Sequence, residues 1–541
     1  MSGVSCNFVL RFINIFNNYM KTTGLFGILL LNFFPAFSQK EEKPDFLIII
    51  TDQQRWDAIG AAGNGIIRTP NIDKLLQQGT YFPNAVSLCP VSGPARTSML
   101  TGRFVEKTGI KTNMDCDNIT DCKYKSYDEI LVENGYTAEY YGKFHSPLNM
   151  ASVYSNPPMY GFAPPQSIKK WELLYNFYLS ENVAKKLQKY GELYDFSFYN
   201  GIPYRPSPID RRYDSLPSGI LDGDALEKRP LTQPDQHGIL ALDTAHTITA
   251  VQAKQTIASL NRLKDKPFVI TCSFHCPHAP MLPSEPYAGM YDPEKMPVPF
   301  SINDDMENSP YKSANGRLFM PEYRDSAKIK YMTAEYYASV TEIDHWVGRI
   351  METLDALQLT DKTVVIFLSD HGEMLGAHGM REKNVFLEES VRVPLIIKYP
   401  KDKICKRVVE APVSTLNIFS TILDYAGINS QSDGESLRPL CLGKQSKYDF
   451  AISEWCWGRP AEPNLMIRSN QWKLIINSQP RSKSIDALYD LKNDPYEMNN
   501  LLTEATKTKY LKVKDEMLGK LVKFLDDRNY PNTEYIIRKY K

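Results

Sequence analysis

Neither sign of charge predominates in this 541-residue chain: Lys and Arg total 63, Asp and Glu total 63, and the formal net charge is zero. A global field drawing the protein to nucleic acid or to an acidic membrane surface is therefore excluded, and any anion selectivity has to be local. Internal repeats and low-complexity blocks are also missing, which removes solenoid architectures. The only long apolar run, residues 24–37, is short for a membrane-spanning helix and carries Pro35 near its end. Cysteine is sparse, nine in all. Cys272 and Cys276 lie at a strand end with no second pair nearby, which argues against a thiolate zinc site.

What is present describes a globular, enzyme-like chain. A hydrophobic content of 43% and 11% aromatic residues supply ample core, and the length suits a large α/β body plus a smaller unit. Lys21 precedes the apolar run, and Ala36-Phe37-Ser38 ends it before the polar residues 39–43. Residues 1–38 are thus predicted to be a signal peptide, cleaved after Ser38, that exports the chain, for example to the periplasm. Residues 1–19 are atypical of a signal n-region, so Met20 is an alternative start, and Cys6 is not in a lipidation-like context. Export permits oxidation of the eight remaining cysteines, with the close pair Cys116 and Cys122 the expected bridge. The predicted organisation is a catalytic domain over 39–445 and a C-terminal subdomain over 446–541.

Apolar, β-branched runs at residues 46–50, 268–270 and 364–368 each end in polar residues: Thr51-Asp52, Ser273 through His278, and Ser369 through Gly372. Helical patterns intervene, which predicts an α/β fold with a large, mostly parallel sheet flanked by helices. Ligands bind at the carboxyl ends of such strands, and each end here carries Asp or His. A long amphipathic helix is predicted over 331–357, with Asp344 and His345 as surface or buried-pair residues rather than ligands. Residues 150–235, rich in Pro, Tyr and Asp, are expected to form insertions over the cleft. After residues 433–440 the chain leaves the first domain. Runs at 451–454, 465–468 and 472–475 predict a short antiparallel sheet, and 510–526 a closing helix, making the smaller part α+β.

Two constellations carry chemistry. Asp52-Gln53 and Asp370-His371 follow two distant strands and offer oxygen donors plus one imidazole, a set that favours a hard cation, Ca²⁺ before Mg²⁺. In Ser92-Gly93-Pro94-Ala95-Arg96, Pro94 fits the first turn of a helix, which puts Ser92 at a helix N-terminus. Free N–H donors and a partial positive charge there suit sulfate or phosphate, although in isolation the segment also reads as an ordinary helix start.

With Leu100-Thr101-Gly102-Arg103 behind it, the Ser92-x-Pro94-x-Arg96 segment resembles the signature of the type I, formylglycine-dependent sulfatases of the alkaline phosphatase superfamily, in its Ser form. Cys89 does not fit the spacing set by Pro94 and Arg96 and is assigned to packing. Further blocks resemble the family in order across residues 44–500: Gly135-Tyr136 with Gly142-Lys143-Phe144-His145, then Pro277-His278-Ala279-Pro280. Lys383 with Glu388-Glu389-Ser390 and Arg392-Val393-Pro394 follows, and then Leu488-Tyr489-Asp490-Leu491 with Asp494-Pro495 and Glu497.

The resemblance implies a sulfuric ester hydrolase in which Ser92 is oxidised to formylglycine (3-oxoalanine) by an anaerobic radical sulfatase-maturating enzyme. It implies a Ca²⁺ site, with Mg²⁺ the alternative, made by Asp52, Gln53, Ser92, Asp370 and His371; the family often has Asp where this chain has Gln53. Lys143 and Lys383 are expected to hold sulfate oxygens, His145 to take a proton from the second hydroxyl, His278 to help the leaving oxygen depart, and Arg96 to support residue 92. Arg392 is expected to be structural, His275 a substrate contact or a buried hydrogen-bonded group, and His378 receives no role. The expected substrate is a sulfated saccharide. Choline sulfate, aryl sulfates, phosphate diesters and phosphonate monoesters stay open, as does an inactive glycan-binding relative. Trp171, Tyr175, Phe177, Tyr178, Trp455, Trp457 and Arg459 are candidates to stack on sugar faces, or to be core.

Overall fold

Eight consecutive residues, Asp45–Asp52, are all buried, the mark of a strand covered on both faces rather than one. In the computed structural model, which describes residues 43–118, 122–150, 152–155, 197–199, 202–206, 237–312, 321–399, 407–455, 464–477 and 485–540, that strand lies inside a six-stranded sheet. Its strands are β1 (Asp45–Asp52), β2 (Thr80–Tyr81), β3 (Thr137–Gly142), β4 (Phe268–Pro277), β5 (Thr363–Ser369) and β6 (Leu395–Lys398), in the order β2-β6-β5-β1-β4-β3. β5, β1, β4 and β3 run parallel, while β6 and β2 join antiparallel at one edge.

Alternation along β1 sends Phe46, Ile48 and Ile50 to one face and Leu47 and Ile49 to the other. The first face is covered by α2 (Ser92–Thr101) and α5 (Asn417–Tyr425), through Met99, Leu100, Ile418, Phe419 and Ile422. The second is covered by α1 (Pro70–Gln78), α3 (Ile248–Leu263) and α4 (Ser326–Ala356), through Ile72, Leu260, Ile343, Val347 and Ile350. The fold is therefore a mostly parallel sheet between helical layers, as the apolar runs predicted. Helix α4 begins five residues earlier than its periodicity suggested, because the Asp325 carboxylate caps it by accepting from the N–H groups of Ala327 and Lys328. Its Asp344 is buried and accepts from the N–H groups of Asn71 and Ile72 in the first turn of α1, whereas His345 is exposed.

A second, antiparallel sheet follows: β7 (Phe450–Glu454), β8 (Leu465–Ser469), β9 (Trp472–Ile476) and β10 (Ala487–Asp490). Helix α6 (Lys507–Asp526) covers it with Leu518, Leu521 and Leu525. Its core is continuous with Phe104, Met374, Phe386 and Leu387 of the preceding chain. Beside that core Lys473, fully buried, meets Glu388 and Glu497 at 2.8 Å each and donates to the Phe386 carbonyl at 2.9 Å. Arg468 adds a second contact to Glu388 at 3.0 Å.

No described helix is long and apolar enough to cross a membrane. The predicted signal peptide, the aromatic insertion residues Trp171, Tyr175, Phe177 and Tyr178, and Trp457 and Arg459 lie outside the described residues. Trp455 is buried in the second core, so it does not offer a face to a sugar. The expected Cys116–Cys122 bridge is not formed: Cys116 points its sulfur at the carbonyls of Thr112 and His145 instead.

A buried cation between two carboxylates is costly to remove, because Glu497 loses its cation and Glu388 is left to Arg468. Lys473→Ala is expected to lower stability by about 3–5 kcal/mol, seen as a lower denaturant midpoint, while the exposed control Lys520→Ala shifts it little.

Candidate active site

The parallel strands deliver the site. The register of β1 against β5 runs from Asp45 opposite Thr363 to Thr51 opposite Ser369, so Asp52 and Asp370 leave adjacent strands side by side. β4 pairs with β1 up to Ile50, then shifts so that Pro277 meets Asp52, and the shift brings His278 to the same end. β3 pairs with β4 up to Gly142 opposite Ser273, which places Lys143 next in line. Four strand ends thus present Asp52, Asp370, His278 and Lys143 to one place, and α2 contributes Ser92 at its first turn.

Asp52, Asp370 and His371 each offer a ligand atom within 4.8 Å of the others, and all three are buried. His371 Nδ1 faces the Gly372 carbonyl at 3.0 Å, which assigns the proton to Nδ1 and leaves the Nε2 lone pair toward Ser92 Oγ at 2.8 Å. Burial pushes the His371 imidazole down to about 4, so it is neutral near pH 7, as a metal ligand must be. Burial alone would raise Asp52, but Lys143, His278, Arg96 and His371 hold its carboxyl well below the usual range. Its Oδ2 accepts from Lys143, whereas Oδ1 is buried with no hydrogen-bond partner. An ionised, buried oxygen left without a donor fits a cation beside it. Two carboxylates and one imidazole, with hydroxyl and amide oxygens near, suit a hard divalent ion.

The remaining charges frame this centre. Arg96, fully buried, donates through Nε to Asp370 Oδ2 at 2.8 Å and through Nη1 to the Lys143 carbonyl at 2.6 Å and Ser273 Oγ at 2.7 Å. It therefore steadies the Asp370 carboxylate and the lysine backbone rather than residue 92 directly. Lys143 Nζ lies 3.2 Å from Ser92 Oγ. Across the site, Lys383 Nζ donates to Gln53 Oε1 at 2.6 Å and lies 2.7 Å from His278 Nε2. Burial and then Lys383 push His278 down to about 4. With Nδ1 against the Ala279 carbonyl at 2.8 Å, His278 is neutral and its Nε2 accepts from Lys383. His145 is likewise held well below its ordinary value by burial and by the cations Lys143 and Arg96, and its Nδ1 has no partner. Lys143, His145 and His278 are partly exposed while Asp52, Ser92, Asp370 and His371 are buried, so the three basic groups form the open side.

Asp52, Gln53, Ser92, Arg96, Lys143, His145, His278, Asp370, His371 and Lys383 all reach this region, whereas His275 and His378 have structural places. His275 is tied to the Gln252 side chain through Nδ1, and His378 bonds Asp304 at 2.6 Å. Arg392 donates to the Pro83 carbonyl and lies over Trp56, consistent with a structural part. Cys89 is fully buried, which pushes its thiol well above the usual value and away from thiolate chemistry. Sequence reasoning missed Ser273, whose hydroxyl donates to the Lys143 carbonyl at 2.7 Å; Tyr336, whose hydroxyl donates to the Gln53 carbonyl at 2.7 Å; and Glu373, which accepts from the Gln53 side chain. Glu373 stands next to Gly372 in the chain and was visible by position alone. Gln53 and His145 both have positive φ, 68° and 46°, the kind of strain that collects at functional sites.

Residues 44–428 match the Sulfatase family model, and residues 376–526 match a model described as N-sulphoglucosamine sulphohydrolase, C-terminal. The chain is 28% identical to the ulvan-active sulfatase of Formosa agariphila, over 96% of this chain and 91% of that protein. It is 24% identical to the N-acetylglucosamine-6-O-sulfatase of Bacteroides thetaiotaomicron, over 93% and 91% of the two. In fold it resembles the phosphonate monoester hydrolase of Agrobacterium radiobacter, with a TM-score of 0.70 and 23% identity over 90% of this chain and 96% of that one.

Gly142 has φ +96°, and a Cβ there would stand 1.7 Å from the Ser273 carbonyl oxygen, which itself accepts from Lys143 N–H. Gly142→Ala is expected to displace Lys143 and lower turnover by about a hundredfold, the cost typical of a misplacement near 1 Å. Steady-state kinetics on folded variant protein checks it.

Proposed function

The chain belongs to the sulfatase family and is a sulfuric ester hydrolase, and from that premise we propose that it removes O-sulfate from a sulfated carbohydrate through a formylglycine formed from Ser92, releasing inorganic sulfate. One observation carries the reading: the Ser92 hydroxyl sits at a helix start between a neutral imidazole nitrogen and an ammonium, beside a buried pair of carboxylates.

When oxidised and hydrated, residue 92 supplies one oxygen to attack sulfur and a second through which sulfate is expelled. Lys143 and Lys383 flank that position and hold the sulfuryl oxygens, whose charge persists through transfer. The Lys383–His278 pair meets the leaving oxygen and provides its proton. His145, neutral and with an open Nδ1, takes the proton from the second hydroxyl. Asp52, Asp370 and His371 would hold Ca²⁺, or Mg²⁺ in its place, with residue 92 and the Gln53 amide oxygen, which also accepts from Lys383, as further oxygen donors; the ion would neutralise developing negative charge.

A sugar as the leaving group is supported by the relatives whose names specify ulvan and N-acetylglucosamine. The proposal includes export after cleavage of residues 1–38, with maturation of Ser92 by an anaerobic radical enzyme beforehand. Choline sulfate, aryl sulfates, phosphate diesters and phosphonate monoesters are the control substrates, because the same cations would bind them.

Protein produced with an anaerobic maturase should show, by mass spectrometry, residue 92 lighter by two hydrogens. It should release sulfate from members of a panel of mono- and disaccharides sulfated at defined positions faster than it turns over the controls. Ser92→Ala should abolish that release. Full activity in Ser92→Ala, or faster hydrolysis of a phosphonate monoester, would overturn the reading.

A further inference from the structure

Glu373 is fully buried two residues past His371, and both of its oxygens are engaged. Oε1 accepts from the N–H of Leu375 at 2.9 Å and of Glu382 at 2.7 Å, while Oε2 accepts from Gln53 Nε2. Met374 N–H donates to the Glu382 carbonyl at 2.7 Å, closing the same loop. The residue that follows is Lys383. One carboxylate therefore fixes both the loop that carries Lys383 and the amide that Lys383 meets.

The amide matters because its two ends are alike in size and unlike in chemistry: only the oxygen can accept from an ammonium. Gln53 is otherwise held only through its backbone, its N–H donating to Asp370 Oδ1 at 3.0 Å and its carbonyl accepting from Tyr336. Nothing in that backbone anchoring decides which way the side-chain amide faces. Glu373, as an acceptor, claims the NH₂ end and turns the oxygen to Lys383. Lys383 is then drawn away from the other cations of the site and set against His278 Nε2.

We propose that Glu373 is a positioning residue for the sulfate clamp: its carboxylate sets the polarity of the Gln53 amide and thereby holds Lys383 where it meets a sulfate oxygen. The inference rests on the sulfatase reading above for what Lys383 does.

Glu373→Gln tests it while keeping the backbone contacts of the loop, since the new amide oxygen still accepts from Leu375 and Glu382, although it removes the charge that faces Arg381 Nε at 3.7 Å. Its NH₂ then faces Gln53, and in either orientation of Gln53 one donor confronts another. Inorganic sulfate should bind at least about tenfold more weakly by calorimetry, as expected for loss of a charged hydrogen bond, and KM should rise more than kcat falls. Gln53→Glu alone sets two carboxylates face to face and should also weaken sulfate binding. Combined, Gln53→Glu with Glu373→Gln restores a donor facing an acceptor at each contact, so the double variant should bind sulfate better than either single one. In a Lys383→Met background, Glu373→Gln should change sulfate affinity little. Should the Gln variant not fold, Glu373→Asp, one methylene shorter, is expected to weaken sulfate binding as well. Wild-type affinity and KM in the folded Glu373 variant, or a double variant no better than the single ones, would overturn the proposal. Because sulfate binding is read apart from turnover, a wild-type protein that binds sulfate yet cleaves no sulfated sugar would count against the proposed substrate and leave this test standing.

Discussion

Two carboxylates that end neighbouring parallel strands, Asp52 and Asp370, face the same buried imidazole at 3.8 and 3.7 Å. Like charges out of water repel and lose their hydration, so this pairing constrains all that surrounds it. Arg96 answers Asp370, Lys143 answers Asp52, and the unpartnered Asp52 Oδ1 leaves room for a further positive charge. Lys143, one of the groups that would grip an anionic ester, is in the resting protein also one of those that make the acidic pair tolerable. A divalent ion would release Lys143 from part of that duty.

The sheet is what lets such a site exist. Parallel neighbours end at the same level, and β1, covered by helices on both faces, has no freedom to slip, because a one-residue shift would exchange Phe46, Ile48 and Ile50 for Leu47 and Ile49 and carry Asp52 away from Asp370. The C-terminal sheet shares its core with Met374, Phe386 and Leu387, on either side of Lys383. Packing far from the chemistry thereby fixes the loop that carries one of its cations.

Much of this was legible in the sequence where local pattern and position coincide. Uninterrupted apolar runs ending in Asp or His marked β1, β4 and β5 and the residues at their ends, and Pro94 marked the start of α2. Buried on all sides, α2 has no amphipathic stripe, so its proline spoke where periodicity could not. Other features depend on distant partners. The start of α4 rests on a capping carboxylate at Asp325, and the place of Tyr336 on an approach to Gln53 across 283 positions in sequence. Ser273 gains meaning only through pairing with β3. The cysteines misled because closeness in sequence does not set the direction of a Cβ–S bond, and Cys116 faces carbonyls rather than Cys122.

The account turns on whether the acidic pair at the strand ends is a metal site. Diffraction from crystals of the Ca²⁺-loaded protein, measured where the ion scatters anomalously, tests this most directly. The account predicts one strong anomalous peak bounded by Asp52, Asp370 and His371, with carboxylate oxygens at about 2.3–2.6 Å and residue 92 beside it. A peak elsewhere, or none while Asp52 stays bound to Lys143 alone, would contradict it.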